Sequence, residues 1–88
     1  MARPNNADEN FGDLLRKLRC SNNMTQAELG HLTGYCTASI ARLESRARRP
    51  NVDVVSTQFV KALRLEHKPD IAQKLIALAR ASHAQPNL

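Results

Sequence analysis

The amino-acid sequence predicts an all-α fold of five short helices, and three observations support this. Of the 88 residues 42% are hydrophobic but only 3% aromatic, with no Trp, so the core must be assembled from Leu, Ile, Val, Ala and Met, which suits helix packed on helix. Apolar residues recur at helical spacing, and the segments that carry them are parted by Ser21 to Asn23, Gly34, Pro50 with Asn51, and Pro69. At this length the chain offers one domain, near the size at which a single core is marginal. Residues 1–9 read as a flexible arm, 10–82 as the domain and 83–88 as a tail.

Helix 1 is expected to start at Asn10, with Asp13 answering as in a capping box, and to bury the stripe Phe11, Leu14, Leu15 and Leu18. Helix 2 carries the clearest local signal, T-x-x-E at Thr25 and Glu28, with Met24 and Leu29 placed as a hydrophobic staple. Leu29 and Leu32 are expected to face inward, and Gly34 to close the helix with a left-handed backbone. Helix 3, about 37–47, turns Ile40, Leu43 and Ala47 to the core and leaves Ala38, Arg42, Ser45 and Arg49 outward. Cys36 is a poor cap, so either Thr37 takes that role or helix 3 begins loosely. Helix 4 lies within 52–65, with its start at Asp53 or Ser56, and Pro69 opens helix 5, whose apolar face is Ile71, Leu75, Ile76, Leu78 and Ala79.

A formal net charge of +5 and a pI near 9.9 favour an anionic partner. The placement of the charge says more than its sum, because Arg46, Arg48 and Arg49 follow Glu44 with no further acid among them. Cys20 and Cys36 form no CxxC and read as reduced thiols. No apolar run approaches a membrane span, and there is no secretory segment, so a cytoplasmic protein is expected. His31, His67 and His83 have no nucleophile or acid at a diagnostic spacing and no phosphate loop is present, so neither an enzyme nor a cofactor is expected.

LLRKLR in helix 1, MTQAEL in helix 2, Gly34, IARLE in helix 3 and the RRP exit together resemble the phage-repressor-like (XRE) helix-turn-helix proteins across roughly residues 11–65. The resemblance implies a lambda-repressor-like five-helix bundle that binds double-stranded DNA and regulates transcription, with helix 3 in the major groove. Base contacts would then fall to Thr37, Ala38, Ser39, Ala41 and Arg42, of which Arg42 alone is able to read guanine bidentately. Phosphate contacts would fall to Thr25, Gln26, Arg46, Arg48 and Arg49, and a structural ion pair to Arg19 and Glu44. On this basis Arg42→Ala should act at one base position, whereas Arg48→Ala should weaken all sequences alike.

Tyr35, Cys36 and Gly30 depart from the residues usual in this family. Two alternatives stay open beside the regulator: an antitoxin-like or adaptor module that binds a protein, and the N-terminal DNA-binding module of a larger regulator. The second arises because FGDLLRKLR and the IALARA ending resemble modules on large bacterial signalling ATPases. The apolar face of helix 5 would either build a homodimer or close the monomer core.

Overall fold

The computed structural model describes residues 10–84, with side chains to residue 82; the expected arm at 1–9 and the last residues of the expected tail lie outside the described residues. Helix α1, Phe11–Ser21, begins where the Asn10 side chain accepts from the Asp13 amide at 3.0 Å. Asp13 answers side chain to side chain, accepting from Asn10 Nδ2 at 3.0 Å, instead of returning to the Asn10 backbone. Phe11, Leu14 and Leu15 are buried and Leu18 packs at the edge of the core. At the far end Asn22 Nδ2 donates to the carbonyls of Leu18 and Leu63 at 2.8 and 3.2 Å, tying this turn to the fourth helix.

Helix α2, Gln26–Thr33, carries the full capping box: Thr25 Oγ1 accepts from the Glu28 amide at 3.0 Å and the Thr25 amide donates to Glu28 Oε1 at 2.8 Å. Leu29 is fully buried, but Leu32 is 52% exposed, against expectation. Seen around the helix axis from Leu29, Thr33 lies about 40° and Gly30 about 100° to one side, while Leu32 lies about 60° to the other. Leu29, Gly30 and Thr33 form the buried sector, which leaves Leu32 outside it. Gly34, at φ 82, then turns the chain.

Helix α3, Thr37–Glu44, is shorter than expected. It stops because Arg46 adopts φ 69, the Ala47 amide reaches back to the Arg42 carbonyl at 2.8 Å and the Arg46 amide to Leu43 at 3.4 Å. This is a Schellman closure, which normally places glycine where Arg46 stands. Ala47, expected in the core, is consequently exposed. A left-handed backbone is unfavourable for a residue with a Cβ, so Arg46→Gly is expected to stabilise the fold by about 1 kcal/mol. A thermal melt followed by circular dichroism should show a higher Tm, and a lower one would refute the assignment.

Helix α4 covers residues 52–62, with α-helical turns at Val52–Val54 and Val60–Ala62 around a π-wound segment, Val55–Phe59. Its start is sharper than the sequence suggested, because Asn51 caps it by accepting from the amides of Asp53 and Val54 at 2.9 and 3.2 Å. The π segment has a purpose in packing. Val55, Phe59 and Leu63 are all buried, yet steps of four residues drift by about 40° each on an α-helix. Local unwinding brings all three onto one face. The chain leaves α4 through Arg64 at φ 59 and a 3-10 turn, Leu65–His67, that buries Leu65.

Helix α5, Pro69–Ala84, runs past the expected domain end at residue 82. Its inward stripe is Ala72, Leu75 and Ala79, with Ile71, Ile76 and Leu78 at the margin. That stripe packs on α1 and α4, so this face of α5 closes the monomer core. Between α1 and α3 the approach is closer still. A Cβ at Gly12 would stand 2.5 Å from the Glu44 carbonyl oxygen and 2.7 Å from that of Leu43.

Candidate nucleic-acid interface

The polar centre of the helix pair is Glu44, at the last turn of α3. Arg19 Nε donates to Glu44 Oε2 at 2.6 Å and its second terminal nitrogen to Oε1 at 3.1 Å, a two-pronged pair. The remaining Arg19 nitrogen donates to the Met24 carbonyl at 2.8 Å, so one guanidinium spans α1, the α1–α2 turn and α3. The two side chains are only 13% and 6% exposed. The hydrogen bond to Glu44 raises the Arg19 pKa above its ordinary value.

Gln26 joins the same centre. Its Nε2 donates to Glu44 Oε1 at 3.1 Å, which fixes the first residue of α2 to the end of α3. Thr25 is exposed and Gln26 half-buried. With Glu28 taking the cap bond, the first-turn amides of Gln26 and Ala27 have no partner within the helix. An anion in front of them would meet the positive end of α2.

On α3, Thr37, Ala38 and Arg42 are exposed and Ala41 is half-buried. Ser39, expected beside them, is turned inward and only 8% exposed. It precedes Leu43 by one turn and so lies about 40° from that buried side chain. Arg42, Arg46 and Arg49 are exposed, and their side chains have no hydrogen-bond or ion-pair partner among the described residues.

Arg48 differs from its neighbours. Its Nη1 donates to Ser39 Oγ at 2.9 Å, and its guanidinium carbon stands 5.1 Å from the centre of the Tyr35 ring. Tyr35 in turn meets Phe59 edge-on at 5.7 Å, and Phe59 meets Phe11 edge-on at 6.3 Å. Sequence reasoning missed this arrangement, although the unusual aromatic at the turn was a signal. Gly30 belongs to the same adaptation, because a Cβ there would lie 2.6 Å from the Tyr35 carbonyl oxygen.

Cys36 is the N-cap of α3 and forms no side-chain cap bond. Its sulfur lies 3.3 Å from Ser39 Oγ. That hydroxyl, followed by the backbone amides of the first turn, holds the Cys36 thiol below its ordinary pKa. Cys20 and Cys36 are both exposed and unpaired.

Residues 15–57 match the model of a family described as Helix-turn-helix. The matched stretch takes in most of α1, all of α2 and α3, and the start of α4 from its Asn51 cap into the π segment, as far as Thr57. No curated protein and no solved structure matches the chain. No helix of the described residues is long and apolar enough to cross a membrane. The matched segment coincides with the capped α2, the left-handed turn at Gly34 and the α3 that follows, and on these grounds the chain carries a helix-turn-helix domain of the phage-repressor-like (XRE) family, a family of DNA-binding regulators.

Proposed function

We propose that this domain binds double-stranded DNA with sequence specificity and regulates transcription, in the cytoplasm, by placing α3 in the major groove. The observation that carries the reading is the division of α3. Ile40 and Leu43 anchor it in the core, while Thr37, Ala38 and Arg42 stay exposed beside a basic surface. Arg42 would read guanine O6 and N7, and the methyl groups of Thr37 and Ala38 would meet thymine. Thr25, Gln26, the first-turn amides of α2, Arg46 and Arg49 would hold the backbone and set the register.

Selection of bound sequences from a random DNA pool tests this. Arg42→Ala is expected to lose about 1–3 kcal/mol at one base position and little elsewhere. Failure of the unaltered domain to enrich any sequence would refute specific reading. A homodimer through α5 would read two half-sites about one helical turn apart. The strip of exposed Gln73, Ala77 and Arg80 with half-buried Ile76 is the surface open to it, and sedimentation at several concentrations decides whether it forms.

One observation favours a protein-binding module instead. Leu32, 52% exposed, borders a groove with Met24, Ala27 and His31. A stoichiometric protein partner, together with DNA binding that shows no sequence preference, would favour that reading.

A further inference from the structure

We infer that Arg48 is a positioning residue for the reading helix: it sets base specificity through Tyr35 and Ser39, a role that rests on the DNA reading proposed above. Helix α3 starts without a side-chain cap at Cys36, so its first turn lacks the usual anchor. Arg48 supplies a substitute from the far end of the helix. One nitrogen of its guanidinium binds the Ser39 hydroxyl at 2.9 Å while the group covers the Tyr35 ring at 5.1 Å. Ser39 Oγ, accepting from Arg48, has its own hydrogen to turn toward the Cys36 sulfur at 3.3 Å. The turn before α3, the first turn of α3 and the loop after it are thereby joined at one cation.

The clamp has a rigid base. Tyr35, Phe59 and Phe11 are all the aromatic residues of the chain, and they stand in one row running from the clamp to the first residue of α1. Tilting α3 at its N-terminal end would break the Ser39 bond or pull Tyr35 off Phe59. Reaching a phosphate would cost Arg48 both of its contacts, whereas Arg46 and Arg49 on the same loop give up nothing among the described residues. A lysine keeps the charge but lacks the planar fork that binds a hydroxyl while lying on a ring.

The test uses the 88-residue chain with Arg48→Ala, Arg48→Lys, Tyr35→Leu and the double variant Arg48→Ala with Tyr35→Leu. Both Arg48 variants and Tyr35→Leu are expected to lower the preference for selected over random DNA about tenfold. The slope of log affinity against log salt should stay unchanged in each. The double variant should lose little more than either single one. In the absence of DNA, exchange of the Ile40 amide, which donates to the Cys36 carbonyl at 3.1 Å, should accelerate in all of them while amides in α5 keep their protection.

The inference is overturned if Arg48→Lys retains full selectivity, or if Arg48→Ala lowers the salt slope by about 0.9 with selectivity intact, the mark of a lost phosphate contact. Failure of the unaltered chain to enrich any sequence overturns the DNA reading itself. Unchanged exchange at Ile40 overturns the clamp alone.

Discussion

Glu44→Ala is expected to destabilise the domain by about 3 kcal/mol, because it leaves the largely buried Arg19 guanidinium without its carboxylate. In a chain of this size that corresponds to a fall in Tm of about 12 °C or more, read by circular dichroism. The loss reaches beyond one ion pair. Arg19 and Gln26 converge on the same carboxylate, so α1 and the start of α2 lose their common attachment to α3. Replacing both partners by apolar residues, as in Arg19→Met with Glu44→Leu, should recover most of the stability, since the cost of the single variant lies in the stranded charge. A melt of Glu44→Ala that matches the unaltered chain would remove Glu44 from this role.

Gly12→Ala is expected to cost about 3 kcal/mol by overpacking. The new methyl would meet the carbonyl oxygens of Glu44 and Leu43 at 2.5 and 2.7 Å. These are backbone atoms, which cannot rotate away as the tip of a side chain would. Relief requires α1 and α3 to separate, which would loosen Phe11 and Leu43 together, both almost fully buried. The expected results are a lower Tm and faster amide exchange along α3. An unchanged Tm would show that the two helices slide apart at no cost.

Local signals were readable from the sequence itself, whereas among long-range contacts only the Arg19–Glu44 pair was expected, and that through the family resemblance. T-x-x-E announces the α2 cap because both partners lie within one turn, and the structure forms it in full. Gly34 announces its own backbone in the same way. The spacing of apolar residues located five helices but misjudged Leu32 and Ala47. In the first case a glycine and a threonine, which carry little hydrophobic signal, define the buried side of α2. In the second an arginine takes the left-handed position that glycine usually marks, and the end of α3 went unseen.

The site divides along the same line. Exposure of Thr37, Ala38 and Arg42 follows from helical rotation alone. The engagement of Gln26 with Glu44, and of Arg48 with Ser39 and Tyr35, joins residues on different elements. No spacing rule carries such contacts. The π winding of Val55–Phe59 is of this kind too, since it answers the demands of packing by α1, α2 and α5.

The row of rings gives the domain a built-in optical reporter. Tyr35 is the sole tyrosine and the chain has no tryptophan, so near-ultraviolet emission comes almost entirely from one ring, seated between a cation and a phenylalanine. That ring lies in the turn between α2 and α3. Loss of either contact would therefore register as a change in brightness or anisotropy, with no label attached.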